Sequence, residues 1–174
     1  MELLKERIRR EGKVLPGNII KVDGFLNHRI DTELMDHIAE EFGKHFNMDE
    51  VTMILTAEAS GIALSAIVAR LCRADLLVLL SDIDGLYDAD PKTHPEAKLL
   101  HQVTELTPEI LEMAGGAGSW RGTGGMATKL SAARIAMEAG CDMVITNGRR
   151  MEDLYGIAEG KDIGTRFVSG KTRN

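Results

Sequence analysis

Apolar and polar positions follow two periods along this chain, and together they predict an α/β fold. Helical spacing of apolar side chains predicts helices over residues 1–12, 31–46 and 62–72, and a run of helix formers after Gly125 predicts another. Short apolar runs predict four strands, over residues 51–56, 74–80, 99–103 and 143–146. Because strands alternate with helices, we expect a mostly parallel sheet with helices on both faces.

The first part of the chain adds three local expectations. Pro16, Gly17 and Asn18 predict a turn, and the alternation over residues 19–26 favours an extended strand. Asp31 suits the N-cap of the helix that follows it. One face of that helix should point inward, with the side chains of Leu34, Met35, Ile38, Phe42 and Phe46.

Residues 74–80 are apolar at nearly every position, which is typical of a central parallel strand with both faces buried. Ser81 and Asp82 follow this run. The carboxyl end of a central strand is where open α/β sheets bind ligands, so both are candidate binding residues. The alternative for Asp82 and Asp84 is a solvated pair of turn-forming acids, and we interpret Asp84 as a turn residue.

A glycine-rich stretch, residues 121–129, is the strongest candidate for chemistry. Gly122, Gly124 and Gly125 lack a Cβ atom, so a large anion can approach their backbone closely. The helix that follows would direct free N–H groups, the Thr128 hydroxyl and the mobile Lys129 cation at one place, which suits phosphate. The alternative is a flexible surface loop with a capping threonine. The Walker A spacing is absent.

Composition narrows the class of protein. A chain of 174 residues suits one domain, and scarce aromatics (4%) with a net charge of -6 argue against a nucleic-acid partner. Cys72 and Cys141 lie in apolar settings and are expected as buried free thiols in a reducing compartment. The scattered histidines show no metal spacing. Without a long apolar span we expect a cytoplasmic protein with no membrane partner.

Residues 64–174 resemble the nucleotide half of the amino-acid kinase family, and within it the glutamate 5-kinases. The resemblance rests on residues 81–91, 122–129, 139–146 and 160–167. It implies ATP with Mg²⁺, and transfer of the γ-phosphoryl group to the side-chain carboxylate of L-glutamate, in the route to proline. Lys129 matches the lysine that neutralises charge on the transferred group, a catalytic role. The implied ATP-binding residues are Ser81, Asp82, Thr123, Gly124, Gly125, Met126, Ala127, Thr128 and Lys129.

Residues 1–63 instead resemble the start of the xanthine phosphoribosyltransferases, through residues 11–15, 21–28 and 58–63. That resemblance implies purine contacts at Ile20 and Asn27. It also implies a loop near the pyrophosphate of phosphoribosyl pyrophosphate, formed by Glu58, Ala59, Ser60, Gly61 and Ile62. The alternative is a plain strand-to-helix connection. The family's adjacent acid pair and its base-covering lysine have no counterpart here.

The two resemblances meet inside one predicted helix, near Ala63 and Leu64. The kinase family's early lysine, first phosphate loop and acid-rich acceptor segment are missing. We therefore interpret the chain as a chimera, with residues 1–63 phosphoribosyltransferase-like and residues 64–174 the ATP-binding part. We expect an ATP-dependent phosphotransferase with an impaired acceptor site. The alternatives are xanthine phosphoribosyl transfer and a non-catalytic nucleotide-binding module. A homo-oligomer is compatible with each.

Overall fold

A computed structural model describes residues 1–26, 31–57, 61–115 and 125–170 of the chain. Its helices are α1 (Glu2–Glu11), α2 (Asp23–Leu26), α3 (Thr32–Gly43), α4 (Ile62–Leu71), α5 (Pro108–Gly115), α6 (Gly125–Ala139) and α7 (Asp153–Ala158). Its strands are β1 (Lys13–Leu15), β2 (Ile19–Lys21), β3 (Met53–Ala57), β4 (Leu76–Ser81), β5 (Gln102–Val103), β6 (Asp142–Asn147) and β7 (Thr165–Phe167).

A five-stranded sheet organises the molecule, in the order β3-β4-β6-β7-β5. The pairs β3–β4, β4–β6 and β5–β7 are parallel, and only the β6–β7 pair is antiparallel. The expected mostly parallel α/β sheet is therefore confirmed. The strands advance in one direction from β3 to β6, so right-handed crossovers place α4 and α6 on the same face.

Both faces of the central strands are covered, as the apolar run in β4 predicts. Leu77 and Leu79 pack in the main core with residues of α4 and α6. Leu76 and Val78 point to the opposite face, where they cluster with Ile157 of α7. Helices thus lie on both faces of the sheet.

The edge strand β3 departs from its predicted burial. Met53 and Leu55 are 39% and 49% exposed, although the run over residues 51–56 suggested a buried strand. These two side chains share one face of the edge strand with Ala57, which is also exposed, while Ile54 packs into the main core on the other face. The apolar sequence of this strand therefore predicts burial correctly for only one of its two faces.

A second, smaller core joins α3 to α4 and to the first helices. The N-cap prediction is confirmed, because the Leu34 backbone N–H donates to Asp31 Oδ1 at 3.1 Å. Leu34, Met35 and Ile38 are buried as expected. The expectation is wrong for Phe42 and Phe46, which are 46% and 63% exposed. Since α3 ends at Gly43, Phe46 lies beyond the helix and Phe42 lies on its last turn, outside the cluster.

Residues 19–26 form two elements instead of one extended strand. β2 pairs with β1 in a hairpin, whose turn holds Gly17 and Asn18 at φ values of 83° and 59°. α2 follows and buries Phe25 in the second core. The predicted strand over residues 99–103 is also shorter, because Leu99 makes only an isolated bridge to Tyr87.

The two parts distinguished by resemblance share one sheet. β3 pairs with β4 over five registered residues, and α4 runs through Ala63 and Leu64 without a break. The separate origin of residues 1–63 stays a prediction. Cys72 and Cys141 are buried free thiols, as expected. Over the four described ranges, no helix combines the length and the apolar character that crossing a bilayer requires.

Candidate functional site

The carboxyl ends of β4 and β6 lie side by side and define the candidate site. Ser81 and Asn147 are direct partners in the strand register. The Gly148 N–H also donates to the Ser81 carbonyl oxygen at 2.8 Å, just past the last paired residues. The two loops that follow these strands therefore start from the same point of the sheet edge.

Helix α6 begins at this edge. Only Gly140 and Cys141 separate its end from the start of β6, so the chain reverses there. Its 15 residues span about 22 Å. The six residues of β6 span about 20 Å. The first turn of α6 therefore lies level with the carboxyl end of β6, and its backbone N–H groups and positive dipole end point toward this edge.

The glycine-rich stretch enters the described structure at Gly125, the first residue of α6. Thr123 and Gly124 lie outside the described residues, so their ATP-binding assignment stays a prediction. Met126 and Thr128 are partly buried, and Ala127 is exposed. The described half of this stretch forms the beginning of a helix, as its helix formers predict.

Lys129 is the buried charge of this helix. The sequence suggested a mobile cation, but the side chain is only 3% exposed. A buried ammonium is stable only where charged or hydrogen-bonding groups surround it. Lys129 is therefore held in place as the fifth residue of α6, just over one turn from its first residue. The N-terminus of a helix also favours an anion.

Ser81 and Asp82 stand at the end of β4, as predicted. The Ser81 hydroxyl is buried and donates to Asp82 Oδ1 at 3.3 Å. The Asp82 side chain is otherwise exposed at the edge. The pair thus offers one oriented carboxylate to the space in front of the strands.

Asp84 links the loops that follow β4 and β6. Its Oδ1 accepts from Asn147 Nδ2 at 3.0 Å and from Arg150 Nη2 at 3.2 Å. Its Oδ2 accepts from the Tyr87 hydroxyl at 3.4 Å. The interpretation of Asp84 as a turn residue is therefore incomplete, since the carboxylate also bridges two loops. Sequence reasoning missed Asn147 and Arg150, although they too follow a predicted strand.

Tyr87 has a raised pKa in this environment. Burial disfavours its phenolate most, and the negative charge of Asp84 and the hydrogen bond to it add to the effect. The phenol therefore keeps its proton and remains a donor to Asp84 over the ordinary pH range.

The turn that carries Asp84 is anchored from β7. The Thr165 Oγ1, fully buried, accepts from the Leu86 N–H at 2.8 Å. Gly85 packs so closely there that a Cβ would overlap Thr165 Oγ1 and lie 2.8 Å from Leu99 Cδ1. A third strand thus determines where Asp84 sits.

Magnesium fits this edge only as a companion of a phosphate ligand. Within the described residues, no group of three or more His, Cys, Asp or Glu side chains could hold a metal ion. Mg²⁺ commonly binds through substrate phosphates with one or two carboxylates and water. Asp82 is the available carboxylate, because both oxygens of Asp84 accept hydrogen bonds from protein groups.

Of the residues implied by the phosphoribosyltransferase resemblance, the structure describes Ile20, Gly61 and Ile62. Ile20 is 55% exposed on the hairpin strand β2. Gly61 is the N-cap of α4, where a Cβ would lie 2.7 Å from Thr56 Oγ1, and Ile62 is buried in the main core. Asn27, Glu58, Ala59 and Ser60 lie outside the described residues. Their roles stay predictions.

Known proteins match the part of the chain that carries this site. Residues 63–147 match the amino acid kinase family. The glutamate 5-kinase of Clostridium perfringens (strain 13 / Type A) is 54% identical over 125 residues, 72% of this chain and 46% of that protein. The glutamate 5-kinase of Deinococcus radiodurans is 54% identical over 110 residues, 63% of this chain and 30% of that protein. A solved uridylate kinase from Archaeoglobus fulgidus covers 64% of this chain and 48% of its own, with 20% identity and a TM-score of 0.49.

These matches relate residues 63–147 to the amino acid kinase family. Both curated relatives described above are glutamate 5-kinases. The chain spans less than half the length of the curated relatives that it matches.

Proposed function

We propose that this chain binds ATP at the carboxyl edge of β4 and β6 and is a phosphotransferase of the glutamate 5-kinase kind. The observation that carries the proposal is the order of elements at this edge: the α6 N-terminus with the buried Lys129 lies level with the end of β6, and the Ser81–Asp82 pair ends the neighbouring strand β4. A helix N-terminus with a lysine favours a polyphosphate, because both contribute positive potential at short range.

Each group has a distinct part in this proposal. The N–H groups of the first α6 turn, Gly125 to Thr128, bind phosphate oxygens, with Thr123 and Gly124 extending this contact. Lys129 neutralises charge that develops on the transferred phosphoryl group, for which a fixed cation is more effective than a mobile one. Asp82 would hold Mg²⁺ together with the phosphates of the ligand, and the ion would supply further positive charge at this edge.

The acceptor would be the side-chain carboxylate of L-glutamate. We propose that transfer of the phosphoryl group to this carboxylate is impaired. The acid-rich acceptor segment of the resembled family is absent from the sequence before α4. Positioning of acceptor and phosphoryl group contributes about 7–11 kcal/mol to such reactions. A single electrostatic group contributes roughly 3–4 kcal/mol. ATP binding should therefore survive while turnover falls by many orders of magnitude.

Calorimetry of ATP·Mg²⁺ binding tests the nucleotide site. Lys129→Met keeps most of the length of the side chain and removes its charge, so binding should weaken by roughly 1.5–3 kcal/mol, about 10-fold to 150-fold. Arg134→Met is the matched control, because Arg134 is an exposed cation on the same helix. Equal ATP affinity of Lys129→Met and wild type, with both proteins folded, would refute this site.

Glutamate-dependent ADP release, read out with glutamyl hydroxamate as product, tests the impaired transfer. We expect a rate far below the roughly 1–100 s⁻¹ that is usual for kinases. A rate within that range would show that the chain has an acceptor site after all. Glu58 and Ser60, just before α4, would then be the first residues to replace.

We also propose the chimeric origin, with a junction near Ala63 and Leu64. The amino acid kinase match begins at residue 63. The match to the Clostridium perfringens glutamate 5-kinase covers 125 residues, more than the 111 residues of 64–174, so this likeness extends to about residue 50 or earlier and weighs against a junction at Ala63 and Leu64. Xanthine phosphoribosyl transfer is the alternative function for residues 1–63. Thermal shifts with ATP·Mg²⁺, xanthine and phosphoribosyl pyrophosphate separate the two functions, since a ligand of the folded state raises the melting temperature. A shift with xanthine, and none with ATP·Mg²⁺, would favour the alternative.

A further inference from the structure

We infer that Asp84 is a positioning residue for the nucleotide site, and that it acts through Asn147. Its carboxylate holds the loop of residues 147–150 against the turn of residues 81–86. This inference rests on the proposed ATP binding and deepens it, because it names the contact that joins the two loops in front of the strands.

The Asn147 side chain is oriented from both ends. Its Nδ2 donates to Asp84 Oδ1 at 3.0 Å, and its Oδ1 accepts from the Arg149 N–H at 3.0 Å. A flipped amide would lose both bonds, because a nitrogen would face the N–H and an oxygen would face the carboxylate. Asn147 therefore transmits the position of Asp84 to the backbone that begins the second loop.

Arg150 makes this arrangement compatible with an anionic ligand. Its Nη2 bonds Asp84 Oδ1 at 3.2 Å, and its Nε bonds Asp153 Oδ2 at 3.0 Å. One guanidinium thus pairs with two carboxylates at the edge and offsets half of their negative charge. Without it, their negative charge would oppose an approaching polyphosphate.

Loss of this network should affect the ligand site more than the fold. The ends of β4 and β6 remain joined by their backbone ladder and by the Gly148 N–H bond to the Ser81 carbonyl oxygen. Asp84 and Arg150 have side chains that are 39% and 53% exposed, and exposed ion pairs add little to stability. The network is built for placing loops at the site.

An exchange of the two side chains tests the inference. Asn147→Asp places a carboxylate against Asp84, so we expect ATP·Mg²⁺ affinity, measured by calorimetry, to fall by more than about tenfold. Asp84→Asn alone keeps an acceptor oxygen for Asn147 and should cost little. The double variant D84N/N147D again has one amide and one carboxylate. The amide at position 84 donates to the carboxylate at position 147, whose second oxygen still accepts from the Arg149 N–H. Affinity should return to within about threefold of wild type.

Arg150→Gln keeps the inference testable where N147D does not fold. It should lower ATP·Mg²⁺ affinity several-fold at low salt, and less at high salt, with an unchanged melting temperature, while the exposed Arg134→Gln changes neither. Failure of the double variant to recover, or equal ATP affinity in N147D and wild type, would overturn the positioning role. An unaffected R150Q would overturn the role of Arg150. A folded wild-type chain that binds no ATP·Mg²⁺ would instead refute the proposed function, and this inference with it.

Discussion

Replacing Gly164 by Ala tests how closely the loop before β7 packs on the central strand β6. Gly164 has a φ of 68°, in the left-handed region. A side chain in that region costs roughly 1–2 kcal/mol. A Cβ there would also overlap the Ile145 carbonyl oxygen and lie 3.1 Å from the Thr146 Cβ. Because that oxygen belongs to the backbone of a buried strand, it cannot rotate away as a side chain would.

Two other glycines separate the cost of the backbone conformation from the cost of the steric overlap. Gly160 and Gly17 have φ values of 81° and 83°, yet an added Cβ would meet nothing within 4 Å at either position. Their alanine variants should therefore lose only the backbone contribution, about 1–2 kcal/mol. Gly164→Ala adds the cost of overpacking, roughly 1–3 kcal/mol. Its total loss should be about 2–5 kcal/mol, from the two contributions together.

Urea unfolding followed by circular dichroism measures these free energies, with similar m values expected for all three variants. In a chain of this size one kcal/mol corresponds to about 2–4 °C. Gly164→Ala should therefore melt roughly 2–12 °C below Gly160→Ala. Equal losses in the two variants would refute the close packing of this loop on β6.

Two further predictions concern the turn that carries Asp84. Thr165→Val removes the acceptor of the buried Leu86 N–H and should destabilise the chain by about 1–3 kcal/mol in urea unfolding, whereas Thr165→Ser should keep most of the stability. The raised pKa of Tyr87 means that the folded chain holds its phenolic proton more tightly than the unfolded chain does. This contribution is complete below the ordinary pKa of about 10 and is lost as the pH rises through the folded value. Tyr87→Phe should therefore flatten the alkaline loss of stability, and an unchanged slope would contradict this account.

Local patterns were sufficient for the long elements. The helix α4 and the strands β4 and β6 lie close to their predicted positions, because their side chains are buried on a helical face or on both faces of a strand. β7 was not predicted and β5 was predicted too long. With three and two residues, neither is long enough to display a period.

The predictions of burial were wrong where burial depends on whether another element covers the side chain. Phe42 and Phe46 continue the apolar spacing of α3, but the helix ends at Gly43. Leu55 continues the apolar run of β3, but this strand forms the sheet edge. Spacing predicts which side chains share a face, and the position of the next element decides whether that face is covered.

The sequence predicted the site residues in the loop after β4 but not those in the loop after β6. The reason lies in the topology of the sheet. Ser81 and Asp82 stand out because an apolar run precedes them, and Asn147 and Arg150 follow the apolar run over residues 143–146 in the same way. What the sequence does not contain is the pairing of these loops, since β5 and α5 lie between them in the chain while β4 and β6 are neighbours in the sheet. The Asp84–Asn147 hydrogen bond joins residues 63 positions apart. It exists because α6 and β6 return the chain to β4, so the strand order of the sheet selects which polar side chains can act together.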